Sequence, residues 1–162
     1  MAIEISITKD MADKLKLDLG KTENVQPDIN HWYAKVMIFN RKRYVFAVNT
    51  LTRFAVFFRL DRKTLSEDFL VALAMELDKY DLGSGSMIGE KVFFSLANNK
   101  RLTAQLNTCA MDLEHISYYD DWRSYPEDVS DLFGNFNKSN LGKAGDSKDM
   151  VFAVDEMKKH WK

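Results

Sequence analysis

Side chains able to do chemistry are few in this chain, and they are scattered. The single cysteine, Cys109, stands six residues before His115. Such a pair would suit a thiolate activated by an imidazole. Six residues of helix, however, turn the second side chain about 240° away from the first. Cys109 also falls on an apolar stripe, the usual seat of a buried, inert thiol. Asp112 and His115 do share a helix face, with Asp120 and Asp121 close behind. A carboxylate–histidine set of this kind can ligate a metal. The three histidines are spread along the chain with no HxxxH or HExxH spacing. The expectation is therefore a solvated helix face, with no metal and no cofactor.

His31 precedes Trp32 and Tyr33 where a polar loop enters an apolar run. It could act as a general base or a stacking platform, but either role needs a partner. The alternative is a histidine hydrogen-bonded to backbone at a strand start. Together with Arg101 it marks the polar site to look for. Catalytic residues are otherwise not assignable, and the reading leans away from an enzyme.

The basic positions carry more. Arg41 and Lys42 lie in one turn, and Arg62 and Lys63 follow a third strand. In an up-down-up meander these two segments share one end of the sheet, and Arg53 lies at the other. Arg41, Lys42, Arg62 and Lys63 are thus a candidate nucleic-acid contact set, with Tyr33 or Tyr44 to stack on bases. The same charges also keep turns soluble and block edge pairing. Gly83-Ser84-Gly85-Ser86 is flexible enough to approach a phosphate but lacks the lysine and spacing of a phosphate loop. Tyr118-Tyr119-Asp120-Asp121-Trp122 reads either as an interface anchor or as a loop packed back on the core.

These groups must be positioned by a central run of three apolar, aromatic segments between residues 32 and 60. WYAKVMIF, RYVFAVN and FAVFFRL are separated by breaks of hairpin length. They predict an antiparallel meander. Ile3, Ile5 and Ile7 alternate with Glu4, Ser6 and Thr8, which predicts a half-buried strand at an edge. Thr8 can cap a helix over 9–17, closed by Gly20. Thr64-Leu65-Ser66-Glu67 reads as a capping box for a helix over 65–80. Residues 92–97 read as a buried strand. Asn98-Asn99 then caps a helix with Leu102, Leu106, Cys109, Leu113 and Ile116 on one stripe. Pro126 suits a helix start, and Gly134 its end. Residues 135–146 have linker composition, and a last helix from about Ser147 places Met150, Val154, Met157 and Trp161 on one stripe. The expected fold is α+β: an antiparallel sheet of about five strands centred on the 32–60 meander, with helices mainly on one face. Residues 1–116 form the core domain, and 117–162 a C-terminal helical extension, peripheral to it, packed on the core or on a partner.

Composition narrows the function classes. With 23 basic against 24 acidic side chains the net charge is −1, too balanced for a chain steered as a whole to nucleic acid or membrane. A lone cysteine excludes an intrachain disulfide. No run approaches a membrane span and no basic-then-apolar leader opens the chain, so the expected location is the cytoplasm.

The sequence also resembles a family of small bacterial proteins classified as a domain of unknown function. The resemblance rests on His31-Trp32-Tyr33-Ala34, on Arg43-Tyr44-Val45-Phe46 leading to Asn49-x-x-Thr52, and on Asn99-Lys100-Arg101-Leu102 running to Leu106-Asn107. It covers residues 3–116 and implies a shared fold without a known activity. At that helix start the family pattern has a serine and a glycine where Leu102 and Ala104 stand here. The functional expectation is a non-enzymatic protein-binding or regulatory module, with Met150, Val154, Met157 and Trp161 as its interface and self-association as one form of it. The alternative is a nucleic-acid-binding protein, or a nuclease or toxin-like enzyme, using the basic set.

Overall fold

The computed structural model describes residues 2–23, 26–84, 89–119 and 133–161. The three central runs form β2 (His31–Phe39), β3 (Lys42–Asn49) and β4 (Ala55–Arg59), paired antiparallel as a meander. β1 (Ala2–Ile7) and β5 (Lys91–Leu96) complete a five-stranded sheet in the order β4-β3-β2-β1-β5. The sheet is mixed rather than purely antiparallel, because β1 runs parallel to both β2 and β5. β1 is also interior, not an edge. Its connection to β2 is a crossover through α1 (Lys9–Leu15) and a long loop, the length that a parallel pairing requires. Thr8 caps α1 by accepting from the Met11 amide, and Lys16 in the left-handed region ends it well before Gly20.

Helices cover both faces of the sheet, not mainly one. Trp32, Ala34, Val36 and the three β1 isoleucines face a first core with α1, α2 (Leu65–Lys79) and α5 (Ala153–His160). Tyr33, Met37, Tyr44, Phe46 and Phe57 face a second core with α3 (Lys100–Tyr119) and Phe136 of α4 (Phe136–Ser139). The side-chain alternation of a strand distributes the aromatics between these two layers. Each fully buried aromatic contributes about 1.5–3 kcal/mol, so neither layer is decorative. α4 and α5 are accordingly not peripheral: Phe136 and Met157 are buried.

Three local expectations change. The box at Thr64–Glu67 does not form, because the turn Arg62–Thr64 is 3-10 and is capped by Asp61, while the Thr64 hydroxyl donates to Asp68. Residues 135–146 are not a linker: they hold α4 and β6 (Leu141–Lys143), which pairs with β7 (Met150–Phe152). The last helix therefore starts at Ala153, and Met150 lies on a strand instead of the helix stripe. The expected Pro126 helix lies outside the described residues. Among the described residues no helix is long and apolar enough to cross a membrane.

Candidate functional site

The β3–β4 turn positions the group at the centre of the site. Asn49 at the end of β3 accepts on its side-chain oxygen from the Leu51 amide, the Thr52 amide and the Thr52 hydroxyl, at 3.0–3.1 Å. An asparagine side chain that replaces backbone in this way builds a tight turn. The turn ends on Arg53, whose φ of 70° is a left-handed conformation rare for a non-glycine residue. Strain of this kind persists only where surrounding contacts over-determine it. Here Asn140 supplies them. It donates to the Arg53 carbonyl at 2.8 Å and accepts from Arg53 Nε at 2.9 Å.

The Arg53 guanidinium is thereby pinned flat against β6. A Cβ on Gly142 would stand 2.3 Å from its Cζ, so only glycine admits it. Arg53 is 4% exposed, yet it lines a cleft of about 450 Å³ between the β6–β7 hairpin and α3. The α3 wall presents Arg101, Gln105, Thr108 and Asp112, a spacing that places them on one helix face. Asp112 Oδ2 stands 3.6 Å from Arg53 Nη2, an ion pair beyond hydrogen-bond reach. Arg101 pairs with Asp146 from the hairpin turn, both more than half exposed. Gln105 ties the walls together, donating to the Asn49 carbonyl and accepting from the Gly145 amide. Leu141 and Met150, both exposed, form an apolar lip.

A second polar cluster lies at the same end of the sheet, displaced across the strands toward β1 and β5, where the Thr50 amide donates to the His31 carbonyl. His31 Nε2 is 2.7 Å from Ser6 Oγ, which is 2.8 Å from Ser95 Oγ, which donates to Glu4 Oε2 at 2.7 Å. Thr22 donates to the same carboxylate oxygen. A hydroxyl has one proton to give. With the Ser95 proton on Glu4, the Ser6 hydroxyl has Ser95 and, at 3.4 Å, Glu4 Oε2 to donate to; with its proton on either, His31 donates from Nε2. This tautomer leaves Nδ1, buried and without a hydrogen-bond partner, as a bare acceptor. The opposite tautomer would bury an unsatisfied donor. Burial opposes the Glu4 charge, but the Thr22 and Ser95 hydroxyls and His31 outweigh it, and the carboxyl sits below its ordinary pKa. Burial lowers the His31 pKa against the pull of Glu4 and Asp28. Ser6 and His31 are at nucleophile–base distance, but both are sealed from solvent. The carboxylate also lies toward Nε2 rather than behind Nδ1, unlike the order of a catalytic triad.

The two halves of the anticipated polar site do not meet. His31 joins Glu4, Ser6 and Ser95, whereas Arg101 lines the cleft and joins Asp146. His31 is bonded through its ring to a side chain, and its backbone amide donates to Asp28. Strand register brings the 41–43 and 59–63 segments to one end of the sheet, with the Leu60 amide donating to the Arg43 carbonyl. Arg41, Lys42, Arg62 and Lys63 therefore share that end, away from Arg53. Tyr33 and Tyr44 are both buried, so neither offers the stacking face anticipated beside them. The Tyr33 hydroxyl instead accepts from the Asn98 and Asn99 amides at the start of α3. Of the stripe residues, Val154 and Met157 are buried in the first core, Trp161 packs against it, and Met150 is exposed on β7. Cys109 is buried, and desolvation pushes its thiol up to about 11; His115 is exposed. Asp112 serves Arg53 and shares no metal set: among the described residues no group of three ligating side chains forms one. The side chains of 117–122 and residues 85 and 86 lie outside the described residues.

Sequence reasoning placed Arg53 at the opposite end of the sheet without giving it a role, and missed Gly142, Asn137 and Asn140. A signal existed for the turn that holds Arg53 and for Gly142. Asn49 before a short turn announces an Asx-type bend, and a glycine between Leu141 and Lys143 announces a close approach.

The chain matches, over residues 4–152, the family described as a domain of unknown function (DUF6933). It belongs to that family, and the match reaches past the 3–116 core into the β6–β7 hairpin. No curated protein and no solved structure matches it.

Proposed function

We propose that this member of the DUF6933 family is a non-enzymatic binding or regulatory module whose site is the cleft between α3 and the β6–β7 hairpin, and that it takes an anionic group there. One observation carries the reading: Arg53 is buried, immobilised against Gly142, and still borders open space. The one hydrogen bond that its side chain makes among the described residues runs from Nε to Asn140, and Asp112 stands 3.6 Å from Nη2, so the Nη groups can still donate to a guest. A guanidinium stays protonated at any accessible pH, so it suits recognition of carboxylate or phosphate rather than proton transfer. Holding such a group rigid lowers the entropy cost of binding.

The test is a titration of the full chain with inorganic phosphate and with glutarate at constant ionic strength, following the ¹⁵Nε signals of arginine. Saturable shifts at Arg53 and Arg101, weakened in Arg101→Gln, support the reading. Shifts no larger than those given by chloride overturn it.

A second reading places nucleic acid on Arg41, Lys42, Arg62 and Lys63, since the register gathers them at one sheet end. Retention on single-stranded DNA that falls steeply with salt supports it.

A further inference from the structure

One cation of the cleft wall, Arg101, already pairs with an acidic side chain of this chain, and that identifies what else fits there. Asp146 sits in the hairpin turn and presents its carboxylate to Arg101. Both partners are more than half exposed, so the pair is worth little and exchanges readily with solvent or solute. Beside it stand Lys143 and the exposed Leu141 and Met150. A carboxylate next to an apolar side chain is thus the local pattern of complementarity. We infer that the cleft captures an acidic, apolar segment of a protein partner, whose carboxylate takes the place of Asp146 on Arg101 while an adjacent apolar side chain covers Leu141 and Met150. This inference rests on the anion-binding reading above and narrows it to one class of guest.

Charge favours a short acidic segment over a polyanion. Arg53, Arg101 and Lys143 line the cleft with Asp112, and Asp146, outside that lining, pairs with Arg101, so the cleft rewards one or two negative groups and repels a long phosphate backbone at its Asp112 end. The whole chain, at a net charge of −1, provides no field to offset that. An apolar lip likewise has nothing to meet on a sugar–phosphate chain, whereas alternate residues of a peptide supply both partners.

The experiment measures binding of a fluorescein-labelled Glu-Leu-Glu-Leu peptide to the full chain by anisotropy. Gln-Leu-Gln-Leu, free acetate and a labelled oligothymidine serve as comparisons. The acidic peptide is expected to bind at least about tenfold tighter than the glutamine peptide, the worth of one or two charge-assisted pairs. Asp146→Asn frees Arg101 and should tighten the acidic peptide roughly two- to fivefold. Met150→Ser should weaken the acidic peptide. Both substitutions are at exposed positions, so the fold survives them. Equal binding of the two peptides, with acetate still shifting the Arg53 signal, overturns this inference and leaves the anion site standing. Tighter binding of oligothymidine than of the peptide overturns it in favour of a nucleic acid. No response to any anion removes the site and the inference together.

Discussion

The guanidinium of Arg53 occupies the space where a side chain on Gly142 would begin: a Cβ there would lie 2.3 Å from Cζ and 2.5 Å from Nη1. One residue closes a tight turn of the main sheet and the other lies mid-strand in the small hairpin, so the contact fastens the two together. It also aims a buried cation at the cleft.

Gly142→Ala should therefore damage both stability and binding. The guanidinium is held at its backbone and at Nε by Asn140, so it cannot swing aside cheaply. Overpacking of this kind costs about 1–3 kcal/mol. A urea midpoint lowered to that extent, with loss of the anion response, is the expected outcome. Gly20→Ala, where nothing lies within 4 Å, is the control. Equal midpoints for the two variants would contradict the contact.

Asn137 completes the edge of the sheet. Its amide accepts from the Ala55 amide and donates to the Ala55 carbonyl, both at 2.7 Å, imitating a neighbouring strand. Asn137→Ala leaves two buried backbone groups unsatisfied, at about 1–3 kcal/mol each. Equilibrium unfolding should show a loss of about 2–6 kcal/mol. A loss below about 1 kcal/mol would mean that water replaces the amide.

The Glu4–His31 cluster should make the protein acid-sensitive. Burial depresses the His31 pKa below its ordinary 6.5. The unfolded chain then binds a proton that the folded chain refuses. Stability from this group is complete above 6.5 and is lost as pH falls toward the folded value. Glu4, also lowered, adds a second loss below its ordinary 4.5. Urea midpoints across this range should fall in that order, and ¹⁵N spectra should show the proton on Nε2. A His31 pKa above 6.5 in the folded protein, or a proton on Nδ1, would contradict the donor order.

Cys109 should be silent toward thiol reagents. Its thiol is buried and its pKa is pushed up to about 11 by desolvation, so at pH 8 little thiolate exists. Labelling by iodoacetamide should proceed only at the rate of unfolding. Rapid labelling of the native protein would show that α3 opens locally.

Much of the framework was legible because it depends on local pattern. The three runs between Trp32 and Leu60 declared a meander, the stripe from Leu102 to Leu113 declared α3, and Asn99 does cap it, accepting from the Arg101 and Leu102 amides. The alternation in β1 is equally plain and predicts a half-buried edge strand, but the strand is interior. Ser6 faces Ser95 and His31 in a buried polar layer. A strand with one polar side looks the same in sequence whether that side meets water or other hydroxyls. The cleft was harder still. Arg53 joins Asn140 across 87 positions, and Ala55 joins Asn137 across 82. Asparagine and glycine between residues 135 and 146 carry linker composition, and only their distant partners reveal a packed unit.

The central claim is that a guanidinium locked against glycine makes the cleft an anion site. Titrating wild type and Gly142→Ala with glutarate, while reading Arg53 Nε by NMR at constant ionic strength, tests it most directly. A saturable shift in the wild type that disappears in the variant is the predicted result. The same shift in both, or none in either, would contradict it.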